Sequence, residues 1–145
     1  MAEEQEWSMY FNRSSTFQGE GIGVVLRSLG EEHTFPYKLG FPCSNNEAEY
    51  EALLVGLKAA RRLGIKRLKI FGDSELLIRQ VEGIYGVKNF SLAAYRAAVK
   101  GIVEHFTSIE YKVVNRNENK LADLLATLAT NSMLKKEKTI LWVEK

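Results

Sequence analysis

Disulfide chemistry is closed to this chain: among its 145 residues Cys43 is the single cysteine, which excludes an intramolecular bridge and any multi-cysteine zinc site. Histidine is almost as scarce. His33 and His105 are the two present, without ligand spacing and without a Ser or Cys in a nucleophile context, so a nucleophile–histidine–acid triad is disfavoured. No apolar run approaches the ~20 residues of a membrane span. The acidic opening, Met1-Ala-Glu-Glu-Gln-Glu, is the opposite of a signal or transit peptide, so an intracellular location, cytoplasmic or nuclear, is expected, with no membrane partner. Net charge is only +2, and no global basicity announces a nucleic-acid partner.

What is present suits one globular domain. The length fits a single core, and 46% apolar with 26% charged residues is ordinary for a folded protein. A chain this long buries about 68–70% of its unfolded surface, enough for a core without staples. Charge is distributed unevenly. Lys58, Arg61, Arg62, Lys66, Arg67 and Lys69 fall in one acid-free stretch. Such a block can track phosphates, or it can simply complement the carboxyl end of a helix.

Trp7 to Asn12 alternates and is aromatic-rich, as a strand would be. Ile22 to Leu26 follows a glycine-rich turn and reads as the second arm of a hairpin. His33 to Leu39 is a weaker third strand, pushed toward a sheet edge by Pro36. From Asn46 to Leu63 the apolar residues take helical spacing, with Ser44, Asn45 and Asn46 supplying cap chemistry and Gly64 closing the helix. Leu68 to Phe71 is a short buried strand. Ser74 caps a brief helix over Glu75 to Val81, and a third helix covers Leu92 to Phe106. A fifth strand runs from Ile109 to Val114. In the last helix, capped by Asn119, Leu121, Leu124, Leu125 and Leu128 recur as an apolar stripe. The order β-β-β-α-β-α-α-β-α predicts an α/β fold: a five-stranded mixed sheet, antiparallel among its first three strands and parallel thereafter, flanked by helices. Residues 1–6 form a tail, 7–131 the domain, and 132–145 an extension that is either a linker or an ordered edge strand.

The informative polar residues are acids in unusual places. Glu49 opens an otherwise apolar helical stripe, Asp73 ends a buried strand at the edge where open α/β sheets place ligands, and Asp123 lies early in the last helix. Singly, each is also explained as a first-turn or capping acid. Together, converging carboxylates suit a pair of magnesium ions acting on a phosphodiester.

Four motifs occur in order. Asn45-Asn46-Glu-Ala-Glu49-Tyr-Glu-Ala-Leu resembles the first-helix start of ribonuclease H-like domains, Gly72-Asp73-Ser74 their strand end, and Glu118-Asn119-Lys-Leu-Ala-Asp123 their last helix. Tyr10-Phe-Asn-Arg-Ser-Ser-Thr with the following Gly19, Gly21 and Gly23 resembles their opening hairpin. The resemblance covers about Trp7 to Asn131 and is strongest to the ribonuclease H domain of plant gypsy-type LTR retrotransposons. It implies a ribonuclease H-like fold, two Mg²⁺ or Mn²⁺ held by acids if the chain is active, and cleavage of the RNA strand of an RNA·DNA hybrid. It also implies neighbouring reverse transcriptase or integrase domains.

Glu49, Asp73 and Asp123 match three of that family's four acids. The fourth is Asn12 here, Arg13 stands where the family has glycine, Val113 where it often has a mobile histidine, and Asn115 where proline is common. A neutral amide coordinates Mg²⁺ more weakly than a carboxylate. The expectation is therefore a nucleic-acid-binding domain with impaired or no cleavage, gripping its ligand through Asn45, Asn46, Ser74, Arg13, Ser14, Arg61 and Arg62. Catalytic and metal positions are assigned to Asn12, Glu49, Asp73 and Asp123. The alternatives are an active two-metal hybrid-specific endoribonuclease and a repurposed protein-interaction module; for the cofactor, the alternative to Mg²⁺ or Mn²⁺ is that no metal is bound.

Overall fold

The computed structural model describes residues 5–139. Strands β1 (Glu6–Thr16) and β2 (Gly19–Ser28) form the opening hairpin, and β3 (Glu31–Leu39) continues it antiparallel. Helix α1 (Asn45–Arg62) carries the chain to β4 (Arg67–Gly72), which pairs in parallel with β1. Helices α2 (Glu75–Glu82) and α3 (Phe90–Val103) lead to β5 (Ser108–Val113), parallel to β4. A 3-10 turn, Arg116–Asn119, runs into α4 (Lys120–Ala129), and β6 (Lys135–Lys136) follows.

The sheet order is β5-β4-β1-β2-β3-β6, so the sheet has six strands rather than five. The sixth is a two-residue parallel pairing, Lys38 opposite Lys135 and Leu39 opposite Lys136. It is too short and too charged for alternation to reveal it. The acidic tail assigned to residues 1–6 overlaps β1, which begins at Glu6; residues 1–4 and 140–145 lie outside the described ones.

Helix α1 packs on the sheet with almost all of its apolar residues buried, and Gly56 lets it sit directly on Met9. Its start is a capping box: the Ser44 hydroxyl accepts from the Glu47 N–H, and the Glu47 carboxylate accepts from the Ser44 N–H. Helix α4 lies over β1 and β2, and here the predicted leucine stripe is corrected. Ala122, Ala126 and Ala129 are the buried residues, whereas Leu121, Leu124 and Leu128 are exposed and Leu125 is half-buried. The cause is the closeness of the backbones. A Cβ at Gly23 would stand 2.5 Å from the Ala122 carbonyl oxygen, and one at Gly21 2.2 Å from that of Ala126. A helix that close admits alanine, not leucine, on its inner face.

The segment after α4 is bonded to the core. Glu51 of α1 is fully buried, yet its carboxylate accepts from the Tyr95 hydroxyl at 2.5 Å, the Thr139 N–H at 2.9 Å and the Thr139 hydroxyl at 2.6 Å. The Lys136 ammonium completes the set, 2.9 Å away. These bonds outweigh the burial that would raise its pKa and hold the Glu51 carboxyl below its ordinary range.

Candidate active site

Asn12, on β1, is buried and lies two residues past the last parallel pair with β4, Tyr10 opposite Phe71, and Asp73 sits just beyond the end of β4. Gly72 is needed at that strand end because a Cβ there would stand 2.7 Å from the Phe11 ring. Glu49 projects from the second turn of α1 and is buried to 8% exposure. Asp123, in the first turn of α4, is exposed. Four elements thus bring one amide and three acids to a common place.

The contacts are specific. The Asn12 amide nitrogen donates toward Asp123 Oδ1 at 3.5 Å, while Asn12 Oδ1 accepts from the Arg13 N–H at 2.8 Å. Arg13 Nε lies 3.9 Å from Glu49 Oε2. The other Glu49 oxygen, Oε1, is buried with no hydrogen-bond partner. Burial, reinforced by the charge of Asp73 and then Asp123 and opposed by Arg13, pushes the Glu49 carboxyl up to about 8. At neutral pH this carboxyl is largely protonated, which relieves the crowding of like charges.

The donor arrangement does not fit a dication. Asn12 turns its N–H toward Asp123 and has its carbonyl occupied by backbone, and the Arg13 guanidinium stands against Glu49. Among the described residues no three His, Cys, Asp or Glu side chains are grouped to hold a metal ion. The hard carboxylates implied by the resemblance are here, but an amide donor and a fixed cation stand among them.

The other predicted residues fall in two places. Asn45 and Asn46 are exposed in the first turn of α1, next to Glu49. Ser74 follows Asp73 and caps α2, accepting from the Leu77 N–H at 3.3 Å. Ser14 is tied to α4 by a 2.8 Å hydroxyl contact with Thr127. Arg61 and Arg62 are not with them: they end α1, about 20 Å along its axis from Glu49 at 1.5 Å per residue. Val113 ends β5 opposite Gly72, on the rim beside Asp73.

Sequence reasoning missed the job of Asn119. Taken for the cap of the last helix, it makes no side-chain cap bond; Asn115 instead caps the preceding 3-10 turn by accepting from the Glu118 N–H. Asn119 is buried and donates to the Phe11 carbonyl at 3.0 Å, fastening the start of α4 to β1 beside Asn12. Its position four residues before Asp123 on a short polar run was the available signal.

Comparison with known proteins agrees with this fold. The reverse transcriptase-like family profile matches residues 11–129. A bifunctional protein of Mycobacterium tuberculosis is 34% identical over 89 residues, 61% of this chain and 24% of that protein. Its N-terminal RNase H domain superposes with a TM-score of 0.81 at 26% identity, covering 88% of this chain and 94% of that one. Ribonuclease HI of Halobacterium salinarum is 33% identical over 86 residues, 59% of this chain and 43% of that protein. The chain therefore spans less than half the length of these curated relatives. The RNase H1 structure from that archaeon gives a TM-score of 0.76 at 28% identity, over 86% of this chain and 96% of that one. LC11-RNase H1, isolated from compost and solved with an RNA/DNA hybrid, gives 0.77 at 29% identity over the same shares, 86% and 96%.

Proposed function

The chain belongs to the reverse transcriptase-like family and is a ribonuclease H-like domain, and from that premise we propose that it binds RNA·DNA hybrid at the acidic cleft with little or no cleavage of the RNA strand. One observation carries this reading: Arg13, a permanent cation, stands 3.9 Å from Glu49 among acids that would otherwise be free to bind dications. Asn12 adds to it by offering an amide where its neighbours offer carboxylates. A hybrid ligand is supported by the LC11-RNase H1 complex. Asn45 and Asn46, exposed on the first turn of α1, are the residues we assign to phosphate and sugar contacts, together with Ser74 at the start of α2. The order of the four motifs supports a retrotransposon origin of the plant gypsy type, with reverse transcriptase or integrase domains as neighbours in a longer protein. Mg²⁺ or Mn²⁺ would then be bound weakly.

The test compares the wild type with Asn12→Asp and with Asn12→Asp/Arg13→Gly. Each is melted with and without Mg²⁺ and incubated with an end-labelled hybrid. The wild type is expected to gain little from Mg²⁺ and to leave the RNA intact, the single reversion to restore little, and the double reversion to gain metal-dependent stability and slow cutting. Rapid cleavage by the wild type would instead establish the active endoribonuclease. Absence of hybrid binding at low salt would turn the assignment toward a protein-interaction module.

A further inference from the structure

The far end of α1 carries a feature that the cleft does not use. Lys58, Arg61 and Arg62 line a cavity of about 420 Å³ with Ile102 of α3. Lys58 and Arg62 also line a second cavity, of about 200 Å³, with Tyr37 of β3, Val55 of α1, and Lys135 and Lys136 of β6. The shared residues make the two adjacent along α1, and together they form a trough lined by five cations and by Ile102, Val55 and Tyr37. Among the described residues no acid lines either part. Lys136 is neutralised by buried Glu51, but Lys58, Arg61, Arg62 and Lys135 make no ion pair among the described residues. Burial first, then the charges of Lys136 and Arg62, hold the Lys58 ammonium below its usual range against the pull of Glu51. The carboxyl end of a helix offers roughly half a negative charge, which four unpaired cations exceed several-fold.

We propose that this trough is a second nucleic-acid site, holding a single strand by its phosphates with Tyr37 as the surface against which a sugar or base packs. Cations beside an aromatic ring in an open groove are the arrangement that binds single strands without regard to sequence. The site stands apart from the cleft and does not rest on the hybrid reading. Three of its cations come from α1 and two from β6, so the smaller cavity is complete only while the segment after α4 is seated on β3.

The test uses a fluorescently labelled oligodeoxythymidylate of about 12 nucleotides, within the roughly 4–16 that a comparable groove occupies. Anisotropy titrations compare the wild type, the trough variant Lys58→Ala/Arg61→Ala/Arg62→Ala and the cleft variant Asn45→Ala/Asn46→Ala. The trough variant is expected to bind at least tenfold more weakly and to have a log–log salt slope shallower by about 0.7 per lost contact, about 2 in all. The cleft variant should keep both. In NMR spectra of the wild type, the oligonucleotide should shift the amides of Arg61, Arg62 and Ile102, an independent readout should the triple variant fold poorly. Unchanged affinity and slope in the trough variant, equal loss in the cleft variant, or equal competition by polyglutamate would each overturn the proposal. Loss of hybrid discrimination with oligodeoxythymidylate binding intact would defeat only the cleft reading.

Discussion

At the scale of single residues, the cleft is governed by how its acids share charge. Glu49 is the most confined of them, and its carboxyl keeps a proton up to about 8, first because it is buried and then because Asp73 and Asp123 face it. Unfolding releases it to its ordinary value of 4.5. Between those limits the folded chain holds a proton that the unfolded chain has given up, so stability falls as pH rises through the window. Glu51 acts in the opposite sense and elsewhere: its carboxyl is held below the ordinary range, so its contribution is lost only as pH drops into the acid region. Denaturant midpoints measured without metal, from about pH 5 to about pH 8.5, should therefore decline in the wild type and stay nearly flat in Glu49→Gln. Parallel slopes in the two proteins would refute this account of Glu49.

At the scale of elements, two contacts decide stability, and neither is announced by hydrophobic period. Helix α4 sits on β2 through alanine against glycine. Gly23→Ala drives a Cβ to within 2.5 Å of backbone, and overpacking of that kind costs about 1–3 kcal/mol. Leu128→Ala, on the exposed face, should stay within about 0.5 kcal/mol, as surface changes do. Chemical denaturation of both variants checks the reversal of what the leucine spacing suggests. Leucines recur at helical intervals on α4, but period alone does not say which face meets the sheet; Gly21 and Gly23 on the neighbouring strand do. The second contact is buried Glu51 with Lys136 and Thr139. Truncation after Asn131 removes Lys136 and Thr139 and leaves this carboxylate the Tyr95 hydroxyl alone; breaking a buried pair costs about 3–5 kcal/mol, here toward the low end because water then reaches Glu51. Glu51→Gln in the truncated chain should recover much of that loss, which separates the charge from the missing strand. A truncated chain as stable as the full one would dismiss the contact as ornamental.

At the scale of the whole molecule, a net charge of +2 conceals an acidic cleft at one end of α1 and a cationic trough at the other. The acids of the cleft were legible because each stands where a helix or strand otherwise calls for an apolar residue or a simple cap. The bonding of Arg13 to Glu49, of Asn119 to Phe11 and of Thr139 to Glu51 was not, since these pairs are 36, 108 and 88 positions apart and only the assembled sheet brings them together. A ligand that engages only the folded chain raises the melting temperature, so on the proposed reading hybrid should do so, and the persistence of the shift reports whether the RNA survives. At a hybrid concentration about 100 times Kd the linkage gives ~2.7 kcal/mol, which for a domain of this size is roughly 5–10 °C. Duplex DNA at the same concentration should give less, since the cleft assignment distinguishes the two while the trough does not. For a domain that binds without cutting, the shift is the same after minutes and after hours of incubation with Mg²⁺. A shift that decays with incubation, in step with shortening of the labelled RNA, would mean that three acids and an amide suffice for turnover despite Arg13. A constant shift over intact RNA, lost when Asn45 and Asn46 are both changed to Ala, would place hybrid binding in the cleft and separate it from catalysis in one experiment.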